Sequence, residues 1–311
     1  MDIRHLRSFI TVAENLHFSR SAEQLGVSAP TLTAQIQEVE RMLQARLFNR
    51  TKRTVHLTPA GEIFLTEARA TLEQLERAIN VGRRAGRGQV GRVEIGYVGS
   101  AAFFGVLQEQ VQRFRNKWPD VMLNTKELPT EQILPLLEEG RIDLAFVRTP
   151  VHLPLSVSSH VMARDRFCVA LPADHALSKM STDILPRALS NESFVIPEQG
   201  LGLREVARRG KFDPHIVSSP GTLVAVLTQV ALGMGVAIIP SVLINTIQLP
   251  NVVFREIAGP AIVSEVAALF RRHERLPTVR NLIEQMLETD CRAALAWFYT
   301  PMAQSMEIRV P

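Results

Sequence analysis

Four polar side chains stand where strands of an α/β chain would end, and three of them open a helix. Ser100 follows the run Ile95-Gly96-Tyr97-Val98, and Thr130 follows the strand-like stretch 123–128. Arg148 follows Leu144-Ala145-Phe146-Val147, and Thr222 follows Ser219-Pro220-Gly221. In open α/β sheets, ligands bind beyond the carboxyl ends of the strands. Helix N-termini at those ends present unpaired N–H groups and a positive dipole end. An arginine adds a fixed charge that can grip a carboxylate through two N–H donors. Together the four have the chemistry of an anion pocket. Ala101, Ala102 and part of 201–203, including Leu203, would wall it with apolar surface that suits a ring beside the carboxylate. Taken singly, each hydroxyl is also an ordinary helix cap, and Arg148 an ordinary surface ion-pair partner. The shared strand-end placement favours the ligand reading.

A second chemistry lies at the other end of the chain. Residues 1–90 hold 13 Lys and Arg against 9 Asp and Glu, and residues 91–311 hold 22 of each. The whole excess of +4 therefore sits in the first ninety residues, as a polyanion partner would require. The run Arg50-Thr51-Lys52-Arg53-Thr54-Val55-His56-Leu57 mixes cations with β-formers. It suits a short hairpin whose Arg50, Lys52 and Arg53 reach a phosphate backbone or a narrow minor groove.

The elements that must position these groups follow from periodicity. Leu6, Phe9, Ile10 and Ala13 recur at helical spacing and predict a first helix ending near Asn15. Ser19 is a candidate N-cap for a second helix carrying Ala22 and Leu25, and Gly26 supplies a turn. Ser28 caps a third helix, with Pro30 in its first turn and Leu32, Ile36, Val39 and Leu43 as its buried stripe. Helices two and three fit a helix-turn-helix, whose second helix presents its N-terminal residues to base edges in the major groove. Pro30, Thr31, Ala34 and Gln37 would face outward, with Thr33 on the flank and Arg20 and Ser28 alongside. Glutamine can pair with adenine edges, and threonine hydroxyls with bases or phosphate. A plain helical bundle with a basic loop is the competing reading. Single-strand or RNA binding would ask for exposed aromatic platforms. The first ninety residues hold only Phe9, Phe18, Phe48 and Phe64, two of which fit buried positions.

Thr58-Pro59 opens a long helix to about Arg84, where Phe64, Ala68, Leu72, Leu75 and Ile79 form a seam for a partner helix. Glycines 82, 86, 88 and 91 mark a linker. Strand and helix then alternate: a strand through Val93, Ile95 and Tyr97, then 101–116, 121–128, 131–140 and 142–147. A second α/β unit runs from about 167 to 261, with strands at 167–171, 194–196, 216–218 and 236–239. A strand at 265–270 and a helix at 278–289 follow. Alternation of this kind implies a parallel sheet with helices on its faces. Pro135 sits awkwardly in the 131–140 helix and could shift its start.

Other functions find less support. Neither Cys168 nor Cys291 belongs to a C-x-x-C pair, and Cys168 reads as a core thiol. No G-x-S-x-G, H-E-x-x-H, P-loop or strand-linked G-x-G-x-x-G occurs, so an enzyme is disfavoured and no cofactor is expected. The N-terminus lacks an apolar signal region. The uncharged stretch 217–251 is broken by glycines and prolines, short of the roughly 20 unbroken residues of a membrane span. The expected location is cytoplasmic, against a secreted solute-binding protein. A sequence-blind architectural DNA binder would not need a neutral region of some two hundred residues.

The stretch Phe18-Ser19-Arg20-Ser21-Ala22-Glu23-Gln24-Leu25-Gly26-Val27-Ser28-Ala29-Pro30-Thr31-Leu32-Thr33-Ala34-Gln35-Ile36 resembles LysR-type transcriptional regulators. So does Leu47-Phe48-Asn49-Arg50-Thr51-Lys52-Arg53-Thr54-Val55-His56-Leu57-Thr58-Pro59-Ala60-Gly61. The resemblance covers about residues 1–290. It implies an α/β chain with an N-terminal all-α winged helix-turn-helix (1–58), a linker and dimerisation helix with hinge (59–90), and a two-lobed effector domain like a periplasmic binding protein (91–290). Lobe I would take about 91–164 and 265–290, lobe II about 165–264, and 291–311 would be a tail. The implied partners are double-stranded operator DNA, a small effector and further copies of the chain, as a homodimer through 58–84 and a homotetramer; RNA polymerase is another candidate. Ser100, Thr130 and Arg148 match effector-contacting positions of the family, and Thr222 is carried with them. The segments 96–104 and 127–132 resemble the branch that senses aromatic acids. The family often has Gln where this chain has Ala29, and Arg where it has Ala34, so no operator sequence carries over.

Overall fold

A computed structural model of the chain describes residues 1–51 and 54–288. Lys52, Arg53, Cys291 and the tail lie outside the described residues. The chain divides into two compact units, Met1–Arg84 and the remainder from Ala85.

The first unit begins with α1 (Ile3–Asn15), whose first turn is capped by the Asp2 carboxylate accepting from the His5 N–H at 3.1 Å. Leu6, Phe9, Val12 and Ala13 form its buried stripe. Next comes α2 (Phe18–Leu25). Its cap is His17, whose Nδ1 accepts from the Arg20 N–H, and not the expected Ser19, which lies inside the helix. Gly26 turns the chain at φ +65°, a left-handed conformation that costs glycine little. In α3 (Ala29–Leu43), Ser28 caps the Thr31 N–H as expected, and Leu32, Ile36 and Val39 are buried. Leu43, expected in that stripe, is 38% exposed because the helix ends there. An antiparallel ribbon of β1 (Phe48–Arg50) and β2 (Val55–Leu57) forms the wing.

The long α4 (Pro59–Gly86) starts beneath this ribbon, where a Cβ on Gly61 would strike the Leu47 carbonyl. Phe9 packs on Phe48 and Phe64 with ring centroids 5.4 and 4.8 Å apart, and Phe18 meets Phe48 edge-on. All four aromatics are therefore core groups, not stacking platforms for bases. The expected seam along α4 is also divided. Phe64, Ala68 and Leu72 pack into this core, whereas Ile79 is exposed, as are Ile63 and Val81.

In the second unit, β3 (Gly91–Tyr97) leads into the short α5 (Gly99–Ala102) and then α6 (Val106–Lys117). One helix over 101–116 was expected; Gly105, at φ +78°, divides it. Then come β4 (Val121–Glu127), α7 (Thr130–Glu138) and β5 (Leu144–Thr149). Pro135 is accommodated within α7. The 16-residue β6 (Val157–Pro172) follows, then β7 (Ser193–Pro197), α8 (Leu201–Gly210), β8 (His215–Gly221) and α9 (Leu223–Ala231). The remainder is β9 (Ala237–Pro240), α10 (Leu243–Thr246), β10 (Val252–Arg255), β11 (Val263–Arg271) and α11 (Pro277–Leu287).

The main sheet runs β10-β6-β11-β5-β3-β4, with β9 also on β6, and β7 pairs with β8. It is mixed rather than parallel. β3 is parallel to β4 and β5, but β11 is antiparallel to both β5 and β6. Two long strands cause this. β6 lies beside β11 over 157–166, then continues to pair with β9 and β10. The sheet thus serves a first core and, around β6 and β9, a second core built of two clusters. The first core gathers Val93, Ile95, Phe114, Phe146 and Leu282; one cluster of the second lies around Val169, Phe194, Val206 and Ile238. Cys168 is fully buried beside Val226 and Ile239, and burial pushes its thiol pKa well up. No helix among the described residues is long and apolar enough to cross a membrane.

Candidate functional site: a recognition helix and an inter-lobe cleft

On the first unit, Pro30, Thr31, Ala34 and Gln37 are all exposed on one face of α3, and Arg20 is exposed on α2. Hydrogen bonding leaves these groups unequal. Thr33 returns its hydroxyl to the Ala29 carbonyl at 2.8 Å, and the Ser28 and Thr31 hydroxyls pair at 2.7 Å. Among the described residues Gln37 has no such internal bond, which leaves its amide the most available for base edges. Arg50 is placed differently from expectation. Its guanidinium lies 4.4 Å from the Phe18 ring centroid and donates to Glu40 Oε2 at 3.2 Å. The reason is local: the same Glu40 accepts the Leu47 and Phe48 N–H groups through Oε1, which fixes a carboxylate beside the ribbon. Arg50 braces the wing in this structure. The other two wing cations, Lys52 and Arg53, lie outside the described residues.

In the second unit, a cavity of about 800 Å³ opens between the two cores. Ser100, Thr130, Arg148 and Thr222 all line it. Tyr97, Phe103, Phe167, Leu201, Leu223 and Pro240 supply apolar wall. Two expected wall residues do not reach it. Ala101 is fully buried against the first core, because its neighbours Ser100 and Ala102 take the cleft face of the short α5. Leu203 is packed in the second core, leaving Leu201 at the cavity.

Arg148 is only 4% exposed, so it is no surface ion-pair partner. It donates from Nη1 to Ser264 Oγ at 2.5 Å and from Nη2 to the Ser100 carbonyl at 2.9 Å. Its Cζ stands 5.0 Å from the Phe104 ring centroid. The Nε–H is buried without a partner. Burial lowers the Arg148 pKa to about 10, opposed by the charge of Asp165. That carboxylate sits where β6 passes between the cores, accepting from the Ser241 hydroxyl and from the Val242 N–H at 2.8 Å. Ser264 lies on β11 at the same crossing. Arg148 thus joins the cavity wall to β11, within the field of the Asp165 carboxylate on β6.

The hydroxyls differ in role. Thr222 is the N-cap of α9, accepting from the Ala225 N–H at 3.3 Å. Thr130 is the first residue of α7 and is not its cap. Its N–H donates to Glu198 Oε1 at 2.5 Å, and its Oγ1 accepts from Gln199 Nε2 at 3.1 Å. Sequence reasoning missed Glu198 and Gln199, as well as Glu127 and Glu131 on the cavity. The signal was present: Pro197-Glu198-Gln199-Gly200 also lies between a strand end and a helix start.

Comparison with known proteins matches both units. Residues 3–62 fit the model of the bacterial regulatory helix-turn-helix protein, lysR family, and 86–290 fit the LysR substrate binding domain. The chain is 35% identical over 289 residues to the uncharacterized HTH-type transcriptional regulator YnfL of Escherichia coli K12, covering 90% of this chain and 96% of that one. It is 32% identical to the Hca operon transcriptional activator HcaR of the same strain, covering 91% and 96%. Full-length CbnR complexed with its target DNA shares the fold, at a TM-score of 0.79 and 24% identity over 94% of this chain and all of that one. Full-length BenM superposes at 0.56 with 26% identity, covering 96% and 98%. With the helix-turn-helix model matched over 3–62 and the substrate-binding-domain model over 86–290, the protein belongs to the LysR family of DNA-binding transcriptional regulators.

Proposed function

We propose that this regulator is controlled by a small carboxylate with an apolar, aromatic body, held between the two cores. The observation that carries this reading is Arg148. A buried guanidinium with a spare N–H, on a cavity whose wall also carries Tyr97, Phe103, Phe167, Leu201, Leu223 and Pro240, suits one acid group and a ring. Ser100, Thr130 and Thr222 add hydroxyls around the acid. In this account α3 reads double-stranded operator DNA in the major groove, with Gln37 on base edges and the wing on phosphate. Two chains pair through 58–84, where Ile63, Ile79 and Val81 offer exposed apolar surface, and dimers join into a homotetramer. That assembly meets operator DNA, and RNA polymerase beside it, in the cytoplasm. The effector acts by its different affinity for two lobe arrangements, transmitted where Arg148 bonds Ser264, the register partner of Asp165, at the crossing strands.

Melting of the full chain against a panel of aromatic and aliphatic carboxylates tests this reading. An acid at about a hundred times its Kd stabilises by about 2.7 kcal/mol, and Arg148→Met removes the shift. If neutral metabolites shift the melt and no carboxylate does, the anion reading is wrong.

A further inference from the structure

On the same cavity as Arg148, the chain places one of its own carboxylates on a helix N-terminus. The nine-residue α7 directs its first free N–H, that of Thr130, into the cleft. Glu198, on the segment between β7 and α8, reaches that N–H with Oε1 at 2.5 Å, and its neighbour Gln199 bonds the Thr130 hydroxyl. Glu198 makes no ion pair with any described Lys, Arg or His. Glu127 and Glu131 line the same cavity, and among the described residues its only cation is Arg148, with its buried, unpartnered Nε–H.

We infer that Glu198 is a specificity-determining residue of the cleft: its carboxylate occupies the anion position at the α7 N-terminus, so the protein takes monocarboxylates and rejects dicarboxylates. This inference rests on the carboxylate reading of the cleft. One acid group is matched by Arg148. A second would share the cavity with Glu198, Glu127 and Glu131, and like charges in one cleft oppose binding. To take the Thr130 N–H, the second acid group must also displace a charge-assisted hydrogen bond already made. Selectivity then comes from a built-in repulsion as well as from attraction at Arg148.

Calorimetric titration of the full chain with benzoate and with terephthalate, the same ring carrying one or two carboxylates, tests the inference. Wild type, Glu198→Gln and Glu198→Ala are compared, with operator binding as the check that each is folded. The expected wild-type result is terephthalate at least about tenfold weaker than benzoate, a difference of about 1.4 kcal/mol. Both variants should shrink that ratio by about tenfold, through tighter terephthalate binding. A purely structural role for Glu198 in holding the lobes together would change both affinities by one factor and leave the ratio alone. An unchanged ratio, or a wild type indifferent to the second carboxylate, overturns the role of Glu198 while the carboxylate reading stands. If neither acid binds any of the three proteins at millimolar concentration, the carboxylate reading fails and takes this inference with it.

Discussion

Replacing Glu40 by alanine should unfasten the wing. Its Oε1 accepts from the Leu47 N–H at 2.9 Å and the Phe48 N–H at 3.2 Å, and its Oε2 from Arg50 at 3.2 Å. Leu47 and Phe48 are 1% and 2% exposed, so water cannot readily replace the lost acceptor. A hydrogen bond to a charged group contributes about 1.5–3 kcal/mol, and a stranded buried donor costs about 1–3 kcal/mol. Two such donors put the expected loss at about 2–4 kcal/mol. The exposed part of the Arg50 pair adds little. In scanning calorimetry of the full chain, the transition of the N-terminal unit should fall by about 8–32 °C, at about 4–8 °C per kcal/mol for a unit of this size. The transition of the second unit should not move. Glu40→Gln keeps an acceptor for both amides and should cost about 1 kcal/mol. It also releases Arg50 toward DNA, so the salt dependence of operator binding should steepen by up to about one phosphate contact. A Glu40→Ala variant less than about 0.5 kcal/mol less stable would refute this account of the wing.

Gln37→Ala should weaken binding to the cognate operator by about 1–3 kcal/mol while leaving the affinity for unrelated duplex and the salt slope unchanged; competition binding distinguishes this from a uniform loss, which would mark a phosphate contact. Gly202→Ala should destabilise the second core by about 1–3 kcal/mol in denaturant titration, because a Cβ there would lie 2.5 Å from the Phe167 ring and 2.7 Å from Ile238 Cγ2. Burial lowers the Arg148 pKa to about 10. A lowered pKa on a base means its charge is lost at a lower pH than usual. Carboxylate affinity should therefore be flat from about pH 6 to about pH 9 and fall as pH rises through about 10; titration calorimetry across that range checks it.

The elements with strong local signals were legible in the sequence. Ser28 before Pro30, the spacing of Leu32, Ile36 and Val39, and the Thr58-Pro59 start of α4 each state a helix on their own. The four chosen residues also converge on one cavity: Ser100, Thr130 and Thr222 because strand-to-helix turns place them at the same edge of the sheet, and Arg148 from within the end of β5, which runs on to Thr149 with no helix after it. What was hidden depends on partners far along the chain. The first half of β6 and the antiparallel placement of β11 cannot be read from alternation, since pairing direction is set by tertiary context. Arg50 looks like a free wing cation until Glu40 is brought beside it by the turn after α3. Glu198 lies 68 residues from the Thr130 it contacts. Ala101 and Leu203 went to the cores because a one-residue difference decides which face of a short helix meets the cavity.

The coupling between cleft and DNA is tested most directly by operator affinity, measured with and without the carboxylate that raises the melting temperature, in wild type and Arg148→Met. Methionine fills much of the buried volume without the charge. Wild type should change its operator affinity when the acid is added. Arg148→Met should bind operator as well as wild type without the acid and show no change with it. A variant that still responds to the acid as wild type does would contradict the account.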